Sequence, residues 1–452
     1  MKSYTVRRRQ RHAMALTAIL VVGLLVGCAQ TGTAPSSVDA VHAAYLDLSG
    51  NVADLRSRVA AWQKGDKASL AIAEEKLERT QVVLGAVTWP KALAEAIAQT
   101  KAAVGPLTRA LAEKDWAAAE ASAQALGDAS HDVTHAFYGD WLPGPEAAQL
   151  DLMAPHVTYL DLSANLSDLQ TRVGQWQKGD ESSLNIAREK AERIDVLLQH
   201  MATSRVMVKD IQALERALPA VSKALENKDL AATQQSLQPI ADASRALARE
   251  AYAWLDLVAA TDPACVQASY LDLSRNIAEL RTSAAEWQKG DGASLATAQE
   301  KLARVKVVLA HPVWPGALVS AIDESQTAVT ALETALAGKN PAAVEAATKS
   351  LGDASHDVTH AFYGDWLIGA AMAGHQTEPQ GVQAGGNATT PSESHTHGSA
   401  SADNAVSTTS PDWPVVGGFA AVLMLIIGIA ALTKPKATTN TVARASLEGE
   451  RV

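Results

Sequence analysis

Cysteine is nearly missing from this chain: Cys28 and Cys265 are the two present in 452 residues. That excludes a disulfide framework and a Cys-rich zinc module. Aromatic residues make up only 4% of the sequence, which argues against a β-sandwich or a doubly wound sheet, whose strands draw on β-branched and aromatic side chains. Basic charge is short as well, with Lys+Arg 39 against Asp+Glu 49 for a net −10, and no basic cluster follows the first dozen residues. Nucleic-acid binding starts from phosphate neutralisation, so no such partner is expected. No Gly-rich phosphate loop, nucleophile elbow or pair of catalytic carboxylates is found, and nothing points to an enzyme. What the chain has is 47% hydrophobic residues, rich in Ala beside Leu, Glu, Lys and Gln. These are the best helix formers, and the class expected is all-α.

Both ends carry membrane signals. Arg7, Arg8, Arg9 and Arg11 precede the apolar stretch Ala13–Val26, as in a secretory signal segment. It ends in Leu25-Val26-Gly27-Cys28, which resembles the bacterial lipobox. The resemblance implies cleavage after residue 27 and diacylation of Cys28. Val415–Leu432 is an uncharged run of 18 residues, about 27 Å as a helix and enough to cross a hydrocarbon core. Trp413 stands before it, and Lys434 and Lys436 follow. The positive-inside rule then puts a short tail, 433–452, in the cytoplasm and everything earlier outside. The expected address is a bacterial inner membrane, with the bulk of the chain in the periplasm. A membrane protein or a second copy of the chain is a possible partner.

Between the ends one unit is written three times. Tyr45-Leu46-Asp47-Leu48-Ser49 recurs at 159–163 and 270–274, and Trp62-Gln63-Lys64-Gly65-Asp66 at 176–180 and 287–291. Both shift by 114 and then 111 residues. A period above 100 is domain-sized, too long for a solenoid. The copies run over 38–144, 152–258 and 264–369. Residues 370–412 are rich in Gly, Ser, Thr, Pro and Gln, have no apolar period, and read as a flexible tether.

Each copy reads as four helices. In copy one, Tyr45, Leu48, Val52, Leu55, Val59 and Trp62 form one helical stripe. Gly65 ends that helix and Asp66 caps the next. Ile72, Leu77, Val83 and Leu84 carry the second helix. Thr88-Trp89-Pro90 opens the third, with Pro106 inside it, and Lys114-Asp115 turns into the fourth. Short loops make neighbours antiparallel, giving three tandem up-down-up-down four-helix bundles behind the signal segment and before the transmembrane helix. In length and in the lysine-bearing turn before helix four, each copy resembles the soluble four-helix b-type cytochromes. No Met stands in helix one to ligate iron and no Cys-x-x-Cys-His is present, so no haem is expected.

The candidate chemistry lies on helix four. Leu126–Leu142 and Leu351–Leu367 share one unbroken text, LGDASHDVTHAFYGDWL, whereas these two copies otherwise agree at about half their positions. At 100° per residue Asp128, His131, His135 and Tyr138 fall on the side away from the core, and Asp353, His356, His360 and Tyr363 do the same in copy three. Two imidazoles four apart are a common ligand pair for Cu, Ni, Zn or Fe, and a carboxylate one turn earlier supplies a third. Asp132 and Asp357 suit a supporting role. His42, just before helix one, is a candidate further ligand. His156 holds its place in copy two and Gln267 in copy three. Copy two has Arg245 and Arg249 for the two histidines, and guanidinium does not ligate metal. The tether adds His375, His395 and His397. Two readings stand: a divalent transition-metal protein, or a structural and partner-docking module of the envelope. Asp47 and Asn51 are expected to pair with Lys76 or Arg79 of helix two. Trp62 and Trp89 read as packing anchors, and Glu75–Arg79 as an i,i+4 ion pair.

Overall fold

A computed structural model describes residues 37–145, 147, 155–201, 207–255 and 263–369. The expected signal segment with Cys28, the tether, the span 415–432 and the tail lie outside the described residues. Twelve α-helices and no strand occur among the described residues. No helix among them is long and apolar enough to cross a membrane. The described chain divides into two compact units, residues 37–147 with 360–369, and residues 155–359.

The first unit contains α1 (Val38–Gln63), α2 (Ala68–Ala86), α3 (Ala94–Glu113) and α4 (Trp116–Ala136), followed by a π-helical turn at Phe137–Trp141. α1 packs on α2 and α4, and α3 on α4 and α2. Leu48, Leu55, Leu93, Leu107, Leu111, Leu126 and Phe137 form the core. The expected boundaries are where local chemistry puts them. Gly65 at φ +100° ends α1, and the Asp66 carboxylate accepts from the Ala68 amide at 3.1 Å. Lys114, left-handed at φ 56°, makes the turn into α4, which Asp115 caps by accepting from the Ala117 and Ala118 amides. Pro106 lies inside α3 without ending it.

The second unit contains α5 (Pro155–Gln177), α6 (Ser182–Met201), α7 (Val208–Glu226), α8 (Leu230–Leu255), α9 (Pro263–Gln288), α10 (Gly292–Ala310), α11 (Gly316–Ala337) and α12 (Pro341–His360). α5 pairs with α6 and α8, α7 with α8, and α9 with α10; α9 also meets α5, and α10 meets α8. A second π-helical stretch, Ala361–Leu367, continues α12 and belongs to the first unit. Copy two has no such interruption: α8 is α-helical to Leu255.

An ion triad ties helix one to helix two in each copy. Asp54 binds Arg58 at 3.4 Å and Lys76 at 2.9 Å; Asp168 binds Arg172 at 3.3 Å and Lys190 at 2.9 Å; Glu279 binds Arg275 at 3.1 Å and also Lys301. Lys76 is therefore taken by Asp54, two turns beyond Asp47 on the same face of α1, rather than by Asp47 or Asn51.

Candidate functional site

Asp47 and Asn51 are buried, at 2% and 5% exposure. The Asn51 amide donates to the Asp47 carbonyl at 3.0 Å, to its Oδ1 at 2.7 Å and to the Tyr363 hydroxyl at 3.1 Å, while that hydroxyl donates to Asp47 Oδ1. The Arg79 guanidinium sits 5.2 Å from the centre of the Tyr363 ring. Helix one of copy one thus receives a tyrosine from the end of copy three.

The second unit builds the same cluster from other copies. Tyr252 of copy two donates to Asp272 Oδ1 of copy three at 2.8 Å. Asn276 donates to Asp272 Oδ1 at 2.6 Å and to the Tyr252 hydroxyl at 2.9 Å. Arg304 lies 5.1 Å from the Tyr252 ring centre. Burial first, then the Asp272 charge, pushes the Tyr252 hydroxyl well above its usual value, so it stays a proton donor. Asp272 Oδ2 also meets His156 Nε2 at 3.2 Å, and His311 Nδ1 meets the Leu255 carbonyl at 2.8 Å. These two buried imidazoles stand 6.0 Å apart, edge to face.

The helix-four stripe is exposed as far as its polar residues go: Asp128, His131, His135, Asp353, His356 and His360 all face solvent. The His131 and His135 rings lie 4.4 Å apart, edge to face. Asp128 leans the other way, accepting from the Gln124 side chain at 2.7 Å, because helical side chains tilt toward the N-terminus and an aspartate is short. Among the described residues no set of three ligand atoms within 4.8 Å of one another includes Asp128, Asp353 or His42. His42 is fully buried, its ring 5.0 Å from that of Phe137, and it is not brought to the exposed histidines. Tyr138 also leaves the expected outer stripe. It is 7% exposed, edge-on to Tyr45 at 5.8 Å; Tyr363 and Tyr252 are buried alike, at 7% and 8%, although α8 has no π turn.

One carboxylate that the spacing along helix four does not reveal is Glu75 of α2. It pairs with Arg79, as the i,i+4 spacing implies, and also lies within 4.8 Å of a ring nitrogen of His360. His356 stands one turn before His360 on the same helix. A Glu75–His360 contact joins residues 285 positions apart, so the only sequence signal for it is the matching recurrence of both motifs.

No protein-family model, no curated protein and no solved structure matches the chain.

Proposed function

We propose that this chain is an envelope-anchored helical-repeat protein that binds a divalent transition-metal ion through imidazole pairs on helix four of copies one and three. Its three copies are read as tandem up-down-up-down bundles, held at the membrane by lipidated Cys28 and the span 415–432, facing the periplasm. The observation that carries the metal reading is the pair His131 and His135, exposed and 4.4 Å apart between ring centres. Imidazole with carboxylate suits Zn, Cu(II), Ni or Fe(II), and no thiolate or thioether in the stripe favours Cu(I).

The rival reading, a partner-docking module, explains less of the shared text. Copy two makes the Tyr252–Asp272–Asn276 cluster with Arg245 and Arg249 in place of the histidines. Docking through the tyrosine therefore does not require the imidazoles, and their presence in copies one and three calls for another role.

The test is calorimetric titration of the full-length chain in detergent with zinc and with Cu(II). About two ions are expected per chain, falling to about one in His131→Ala/His135→Ala and to none when His356→Ala/His360→Ala is added. Equal, weak binding by all three proteins rules the reading out.

A further inference from the structure

We infer that Glu75 and His360 form a metal site within the first unit, so that a cation bound by both fastens the segment 360–369 to α2. Metal affinity and the Tyr363–Asp47 cluster are then linked. This rests on the metal reading above and adds both a ligand and a consequence to it.

Glu75 and His360 are already within 4.8 Å, and three residues after His360 the same segment is held to α1 by Tyr363. Arg79 takes Glu75 Oε1, leaving Oε2 as the ligand atom. The guanidinium charge opposes an incoming cation, but it is also held over the Tyr363 ring at 5.2 Å, so the same arginine touches both the carboxylate and the lock. A site assembled from two distant segments exists only when they are docked. A ligand that binds only the docked form must stabilise docking, and whatever weakens docking must weaken the ligand by the same factor.

The chain holds its own control. Glu300, at the place of Glu75 in copy three, pairs with Arg304, and Arg304 lies over Tyr252 as Arg79 lies over Tyr363. The helix that brings Tyr252 carries Arg245 and Arg249 instead of histidines. The Glu300 side chain is 58% exposed against 27% for Glu75.

The experiment uses the full-length chain in detergent, carrying His131→Ala/His135→Ala so that only the copy-three site is read. Zinc is titrated into this background, into Glu75→Gln and into Tyr363→Phe, with far-UV circular dichroism confirming equal helicity. Affinity should fall about ten-fold in Glu75→Gln, the size typical of losing one member of a metal site, and about five-fold in Tyr363→Phe through coupling alone. Zinc should also slow amide exchange of residues 360–369 in the background protein and not in Glu75→Gln. Unchanged affinity in either variant overturns the clasp while leaving the metal reading standing. If the background protein binds zinc no better than the form that also lacks His356 and His360, the metal reading fails and the clasp with it.

Discussion

At the residue scale the governing feature is a buried carboxylate ringed by hydrogen-bond partners. Asp272 is 1% exposed and accepts from Tyr252, Asn276 and His156. A buried charge tolerates burial only while its hydrogen bonds are complete. Tyr252→Phe keeps the ring over Arg304 and removes one donor from the carboxylate. The expected cost is about 2 kcal/mol, read as a lower urea midpoint at unchanged m-value. A loss below about 0.5 kcal/mol, within the usual range of a surface change, would show that the hydroxyl does not hold the cluster. His156 adds a point of chemistry: with Nε2 on Asp272, its Nδ1 is buried and has no hydrogen-bond partner among the described residues. Periodicity does place Tyr45, Leu48, Val52, Leu55 and Val59 in the core, as found. It misplaces Tyr138, which is 7% exposed, because a helical period gives the face a residue stands on and not what covers that face.

At the element scale, helix one and helix two are joined in each copy by the ion triads, and that of copy three makes a pH prediction. Burial by itself would push the Glu279 carboxyl up, but Arg275 and Lys301 more than reverse this and hold it at about 2, below its ordinary 4.5. A carboxyl depressed in the folded state stabilises the fold above its unfolded value. That contribution fades as pH falls from about 4.5 towards 2. The side chain is 26% exposed, so solvent screening cuts the effect to about 1–2 kcal/mol. Urea unfolding followed from pH 6 to pH 3 should therefore lose about that much more stability in the native chain than in Glu279→Gln. Parallel pH profiles would show that the triad adds no net stability.

The ends of these elements were legible because caps and turns act over a few residues. Gly65, Asp66, Lys114 and Asp115 do in space what their neighbours in sequence require. The partner of Asp47 was not legible in that way. Lys76 and Arg79 were the expected partners on helix two; Lys76 meets Asp54, and Arg79 keeps its i,i+4 pairing with Glu75.

At the scale of the whole molecule, the sequence reading supplies two anchors, Cys28 and the span 415–432, around an acidic helical body of net charge −10. Two such anchors would be redundant. Cys28→Ser is expected to stay in the membrane fraction after an alkaline carbonate wash, since a spanning helix holds far more tightly than one lipid group. Removing 413–452 from that variant should release the protein in soluble form. A soluble Cys28→Ser single variant would show that 415–432 does not span.

Helical class, the threefold repetition, the helix ends and the exposed imidazole pairs were all determined by the sequence alone, because propensity, period and capping are properties of short stretches. The tertiary structure decided which aspartate meets which tyrosine and that Glu75 stands beside His360. Tyr363 and Asp47 are 316 residues apart, and each copy offers the same tyrosine and the same aspartate. With identical partners to choose from, no local rule selects a pair; only the packing of whole helices brings one of them within hydrogen-bonding reach.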